Sequence, residues 1–438
     1  MTSEKIKLSE IVRANPSSWS KNLGWSHIRY LDTANITEGR INEIVSFDTQ
    51  EDKIPSRARR IVENGDVIYS TVRPNQLHYG IIKGIPENLL VSTGFVVLRN
   101  KKPKEYDLRY IYHLITQKNL TEYLHGVAEN NTSAYPSLKP EDITNLEFHF
   151  PSLGQQRSVS DFVELLDDKV ENNRRMNETL EEMTLAIFKS WFVDFDPVHA
   201  KAAGNAPAHM DTDTAALFPN SFGDDGLPLG WKKEHLPNLI DFKEGPGIRN
   251  WQYTNSDEGV RFINIRCIKN KDLELTAANR VTELEAYGKY SHFLLEAGDI
   301  VVSTSGTLGR FSFVRQEHLP LMLNTSVIRM RPISNKSTRE FLYGYLGSKE
   351  FQNELEIRAS GSVQKNFGPI HLNQMHLNVP NFKIIKAYSD QVGVIIEKFL
   401  FNQKENKTLA ELRDTLLPKL MSGEIRVKDA EHQVGEAV

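Results

Sequence analysis

A 41-residue segment from Pro151 to Trp191 lies over Pro380 to Leu420 without a gap, and ten of those positions are identical. Chance gives about two or three identities in such a window, so the chain contains an internal duplication. The identities include Pro151 with Pro380, Ser160-Asp161 with Ser389-Asp390, Val163 with Val392, Lys169 with Lys398 and Asn173 with Asn402. Upstream, ENGDVIYST (63–71) matches EAGDIVVST (296–304), STGFVVLR (92–99) matches NTSVIRMR (324–331), and YIYHLITQKNL (110–120) matches FLYGYLGSKEF (341–351). Each half therefore has one order: a strand-rich domain, a proline-marked boundary, then a long helix.

VIYST and VVST follow Gly-Asp turns and are rich in β-branched and aromatic residues, which predicts strands leaving tight turns. Met176, Leu180, Met183, Ile187 and Trp191 recur at helical spacing, as do Leu409, Leu412, Leu416 and Leu420. These rows predict two amphipathic helices, the first over about 158–191 and about 50 Å long. Matching apolar rows are most simply buried against each other, so Met176, Leu180, Met183, Ile187, Leu409, Leu412 and Leu416 are the expected seam. Lys169, Asn173, Lys398 and Asn402 interrupt it and should weaken the pairing or fix its register. Pro197 and Pro418 are expected to mark the far helix ends. The Pro-, Gly- and Ala-containing stretch over 194–230 has the composition of an exposed connection.

The architecture predicted is α+β: two repeated α/β domains over 1–155 and 231–380, separated by two long antiparallel coiled-coil helices over 156–193 and 381–421. A connecting segment (194–230) and a C-terminal tail (422–438) complete the chain, which has pseudo-twofold internal symmetry.

Composition excludes several classes. The lone Cys267 cannot close an intrachain bridge, which fits a reducing, cytoplasmic setting. No segment is apolar enough to span a membrane. Residues 1–150 carry 19 basic and 18 acidic side chains and 232–380 carry 19 and 16, so no domain is strongly basic. P-loop, H-E-x-x-H and G-x-S-x-G patterns are absent. Asn15-Pro16-Ser17 and Asp196-Pro197-Val198 lack the second proline and aromatic ring of an amino-methyltransferase loop. Asp241-Phe242-Lys243 and Glu405-Asn406-Lys407 match only the commonest fragment of a nuclease motif. The thirteen histidines show no mutual spacing and read as scattered surface or core residues.

The duplicated Gly-Asp strand motif, the helix ends NETLEEMTLAIFKSWFVDFDPV and NKTLAELRDTLLPKLMSGEI, and FPNSFGDDGLPLGW between the repeats together resemble the specificity subunits of type I restriction-modification enzymes. The resemblance covers nearly the full length. One departure is that PSLGQQR at 151–157 has its counterpart in PNFKIIK at 380–386, which lacks the glutamines. The resemblance implies that each globular half is a target recognition domain reading one part of a split DNA sequence. It implies too that the helix pair is a spacer docking modification (methyltransferase) subunits, with restriction subunits in the full assembly. No active site is then expected in this chain, and S-adenosylmethionine, ATP and magnesium belong to the partners.

Base and phosphate contacts should come from polar loop residues. Candidates in the first half are Arg57, Arg59, Arg60, Arg73, Asn75, Gln76, Asn131, Thr132 and Tyr135. In the second they are Arg249, Arg310, Gln364, Lys365 and Asn366. Arg73 and Arg310 fall just beyond the matched strands, in corresponding loops. Trp191 and Phe192 are candidates for an exposed docking patch, burial against the connecting segment being the alternative. The competing functional readings are a self-sufficient DNA methyltransferase or nuclease, and a duplicated protein scaffold unconnected with DNA.

Overall fold

A computed structural model describes residues 4–84, 86–130, 136–359 and 366–437. They form two compact units, one of residues 1–171 with 405–438 and one of 172–404. Each unit thus takes one globular domain together with part of both long helices.

In the first unit, an antiparallel sheet runs in the order Val12–Ala14, Phe95–Asn100, Val67–Ser70, Tyr79–Ile81. A second sheet, ordered Val45–Asp48, His27–Leu31, Leu89–Ser92, Ala58–Ile61, contains one parallel pair. The second unit repeats the plan. Ile240–Glu244, Val327–Pro332, Ile300–Ser303 and Phe311–Phe313 form the antiparallel sheet. Asn279–Val281, Val260–Phe262 and Leu321–Met322 form the smaller one, again with a parallel pair. Val67–Ser70 and Ile300–Ser303 are buried on both faces, which explains their unbroken apolar runs.

The Gly-Asp motif acts as a corner and a clamp. Gly65 and Gly298 turn at φ +87° and +92°, where a side chain would be strained. The aspartate that follows accepts from the backbone N–H three residues earlier, Glu63 to Asp66 at 2.7 Å and Glu296 to Asp299 at 2.8 Å. Each aspartate also receives two guanidinium bonds from the neighbouring strand. Arg99 donates to Asp66 at 2.9 and 2.7 Å, and Arg331 donates to Asp299 at 2.7 and 2.9 Å. Asp66 and Asp299 are buried, so the planar, permanently charged partner offsets part of the cost of burying a polar group there.

The long helices are Leu153–Phe192 and Phe382–Ser422. Within the first unit the start of one meets the end of the other, with Val159, Phe162, Val163 and Leu166 in one core with Leu409, Leu416 and Leu420. Within the second unit the polarity is reversed, so the pairing is antiparallel. There Asn402 Nδ2 donates to Asn177 Oδ1 at 2.9 Å, and the Phe188 and Tyr388 rings meet at 6.0 Å.

The seam differs from the expected one. Leu409 and Leu416 are buried and Leu412 half-buried, as the apolar row requires, but Met176 and Met183 are 44% and 46% exposed. Leu180 and Ile187 are half-buried. The inward row consists of Asn173, Asn177, Thr184 and Phe188. A search for apolar rows selects the methionines one position round the helix, whereas here one buried amide donates to the other across the seam. Pro418 lies inside the second helix, four residues before its end, rather than marking its end. The connecting segment is not merely an exposed link. It forms helices Asp196–Ala202 and Thr212–Leu217, and Val198 and Phe218 enter the core of the second unit.

Trp191 and Phe192 must be corrected in the same way. They are 4% and 5% exposed, and so do not form a docking patch. Trp191 meets the Phe218 ring edge-on at 5.1 Å, and Phe192 meets Phe341 and Tyr388 at 5.0 Å each. Two large aromatics at a helix end are buried because the connecting segment folds back over them.

Candidate nucleic-acid interface

The candidate readers cluster at loops leaving the antiparallel sheets. In the first unit, Thr71 follows the Val67–Ser70 strand, and its N–H donates to the Gly94 carbonyl at 2.8 Å. The Thr71 carbonyl accepts from Leu138 N–H at 2.7 Å, Arg73 N–H donates to Pro136 at 3.2 Å, and Val72 bridges to Ser137. Thr93 N–H donates to the Arg57 carbonyl at 2.9 Å, which draws the 57 loop into the same cluster. Arg57, Arg73, Asn75 and Gln76 are exposed there. Arg73 and Leu77, at φ +48° and +58°, bracket a short 3-10 helix over Pro74–Gln76. Non-glycine residues held in this region are uncommon, and here they present three polar side chains on a rigid turn.

The second unit repeats three of these contacts at corresponding positions. Thr304 N–H donates to the Ser326 carbonyl at 3.0 Å, Phe367 N–H donates to the Thr304 carbonyl at 2.8 Å, and Ser305 bridges to Asn366. Arg310 is exposed in the loop between, held by its N–H to Ser303 Oγ at 3.0 Å and by Nη2 to Thr307 Oγ1 at 2.8 Å. The loop bearing Arg249 lies against residue 324, since a Cβ on Gly245 would stand 2.5 Å from the Asn324 backbone. Only glycine permits that approach. Arg249 is exposed, and its N–H donates to Gln252 Oε1 at 3.0 Å. Thus Arg57, Arg73, Asn75 and Gln76 gather in one loop cluster, and Arg249, Arg310 and Asn366 in the corresponding one.

Two first-half candidates differ from these. Arg59 is exposed on the Ala58–Ile61 strand, with its guanidinium 5.9 Å from the centre of the Trp19 ring. Arg60 is half-buried, and burial holds its guanidinium below the usual arginine range. Asn131, Thr132, Tyr135, Gln364 and Lys365 lie outside the described residues. Trp251, 81% exposed two residues after Arg249, escaped the search for polar readers. Its signal was the GPGIRNW turn, in which a large aromatic follows closely spaced glycines.

A cavity of about 800 Å3 in the first unit is lined by Glu38, Tyr79, Tyr112, His113, Asp167 and Arg413 among others. Burial pushes the His113 imidazole down to about 4, and its Nε2 has no hydrogen-bond partner among the described residues. Burial raises the Asp167 carboxyl above the usual carboxylate range, an effect that the Arg413 Nη1 bond at 2.9 Å only partly counters. Among the described residues no three His, Cys, Asp or Glu side chains are grouped to hold a metal, and no helix is long and apolar enough to cross a membrane. Burial raises the Cys267 thiol, which keeps it a poor nucleophile.

Comparison with known proteins agrees with this geometry. The family model for the type I restriction modification DNA specificity domain matches residues 3–182 and again 228–412. The HindI specificity subunit of Haemophilus influenzae is 28% identical over 416 residues, spanning 85% of this chain and 89% of that protein. The MjaIX specificity subunit of Methanocaldococcus jannaschii is 24% identical, spanning 84% and 80%. The crystal structure of the type I restriction-modification S subunit from M. genitalium covers 95% of both chains, with 16% identity and a TM-score of 0.54, and so shares the fold. With both halves of its repeat matched, the chain belongs to the type I restriction-modification DNA specificity family and is a DNA sequence-specificity subunit.

Proposed function

We propose that each loop cluster reads one half of a bipartite DNA target and that the helix pair sets the unread gap between the halves. The observation that carries this reading is the duplicated loop scaffold, Thr71 with Gly94 and Leu138 in one unit and Thr304 with Ser326 and Phe367 in the other. Two equivalent readers on one chain suit two half-sites. The first helix, 40 residues, is about 60 Å long, which exceeds one DNA repeat of about 34–36 Å. Exposed arginines supply phosphate attraction and bidentate recognition of guanine, while the asparagines and Gln76 suit adenine.

The chain performs no chemistry of its own in this reading. Methyltransferase and restriction subunits carry S-adenosylmethionine, ATP and magnesium. The modification subunits dock on exposed apolar side chains of the helices, for which Met176, Met183, Val394 and Phe401 are suited by their exposure.

The test is to co-express the chain with its modification subunit and map methylated adenines across a host genome. The expected result is a split motif with a constant gap, lost without this chain and altered in one half when residues 1–150 are exchanged. Methylation independent of this chain, or a short continuous motif, would overturn the reading.

A further inference from the structure

The strand Lys232–His235 pairs antiparallel with His376–Val379, the first and last strands of the second globular domain. The register sets His235 directly opposite His376, and their Nε2 atoms stand 3.1 Å apart. Two histidines 141 positions apart in sequence thus converge, although no spacing pattern joins them.

The tautomer of one ring is fixed by its neighbour. His376 Nδ1 lies 3.1 Å from the Gln374 carbonyl, which can only accept, so Nδ1 carries the proton. Nε2 is then the nitrogen left without a proton, 3.1 Å from His235 Nε2, with the two ring centres 3.9 Å apart and the planes tilted by 46°. Such an outer hydrogen bond from the far nitrogen to a carbonyl is the usual orienting contact of a metal-binding imidazole. Zinc-to-imidazole bonds are about 2.0–2.1 Å, so a cation can reach both nitrogens at their present separation, with an N–metal–N angle of about 100°.

The first copy of the repeat shows what the second has given up. Leu8 N–H donates to the Leu146 carbonyl at 3.0 Å, and Leu236 N–H donates to Met375 at 2.9 Å, which makes Lys7 and Glu147 the counterparts of His235 and His376. Lys7 and Glu147 form an ion pair at 3.8 Å. The second copy holds two imidazoles where the first holds opposite charges.

We propose that His235 and His376 form a two-histidine site for a borderline divalent metal ion of the Zn2+, Ni2+ or Cu2+ class, which ties the first strand of the second domain to its last. Two imidazoles select such ions over Mg2+ or Ca2+, which require oxygen ligands. Solvent completes the coordination, since Glu234, one position along the strand, projects from the opposite face, where its Oε1 accepts from Asn238 and from the His235 backbone N–H. Lys233 and Asn378 form the next cross-strand pair on the same face and supply no further ligand.

The experiment uses the full-length chain stripped with EDTA and then titrated with zinc chloride. Metal uptake is followed by chelator competition, and the imidazoles by NMR. The expected result is one equivalent of zinc, perturbed shifts at both rings, and a thermal midpoint that rises with zinc but not with magnesium. His235→Asn and His376→Asn should each abolish uptake. A double variant, His235→Lys with His376→Glu, should restore a cross-strand ion pair, keep the metal-free midpoint, and take up no zinc. Absence of uptake by the parent chain at pH 8, or uptake that survives in the double variant, would overturn the proposal.

Discussion

Asn402 donates its side-chain amide to the Asn177 carbonyl oxygen at 2.9 Å, and Asn177 in turn donates to the Phe399 backbone carbonyl at 3.2 Å. Both side chains are buried between the two long helices. Asn177→Leu alone should cost about 1–3 kcal/mol, because Asn402 would then be buried without its partner. Asn177→Leu with Asn402→Leu should recover much of that loss while relaxing helix register, since a buried amide pair specifies alignment more than it stabilises. Urea denaturation of the single and double variants checks both statements.

His113 gives stability a pH dependence of definite sign. Its folded value is pushed down to about 4 by burial, below the ordinary value of about 6.5. Between those values the unfolded chain binds more protons, so stability falls as pH is lowered through this window and is constant in this respect above it. The full effect is on the order of 3 kcal/mol. His113→Gln should flatten that part of the stability profile measured from pH 7 to 4.

The aspartate clamps should matter individually. Asp66→Ala or Asp299→Ala removes two guanidinium bonds and one backbone N–H bond and leaves a partly buried arginine, a loss of about 1.5–3 kcal/mol each. Glu63→Ala, at the exposed rim of the same network, should change stability by about 1 kcal/mol or less. Thermal denaturation of the three variants separates core from rim.

Reading residues should act on half of the target only. Arg73→Ala should weaken DNA binding by about 1–3 kcal/mol and relax the sequence preference of one half-site, while Arg310→Ala does so for the other. An arginine that meets phosphate alone would lower the salt slope by about one and leave the preference unchanged. Binding assays across salt concentrations, run with variant half-sites, distinguish these outcomes.

Helix surface and helix core should separate in assembly assays. Trp191→Ala is expected to destabilise the fold by about 3–5 kcal/mol. Met183→Glu, on an exposed face, should leave the denaturation midpoint nearly unchanged and reduce co-purification of the modification subunit.

The duplication, the strands after the Gly-Asp turns and the existence of both long helices were legible in the sequence because each rests on local signals. The seam was only half legible. Leu409 and Leu416 obey an apolar row, but Asn177 and Thr184 face inward because Asn402 and a backbone carbonyl supply partners, and no single-helix pattern reveals a partner 225 positions away. Trp191 and Phe192 were misjudged for a related reason, since their cover comes from a segment whose Pro and Gly content hides Val198 and Phe218. The exposed loop positions of Arg73 and Arg310 were legible because both follow matched strands. Trp251 was less legible, because its signal, the GPGIRNW turn, is not a pattern of polar loop residues.

The anchors of both loop clusters are peptide groups: Thr71 and Thr304 amides on carbonyls across the cluster, and Leu138 and Phe367 amides closing back on them. Any residue type except proline satisfies such an attachment. Side chains at the rim can therefore be exchanged by drift without detaching the loop that carries them. Under the proposed half-site reading, a lineage descended from this protein gains a new target in one half through a few substitutions while inheriting its folding stability unchanged.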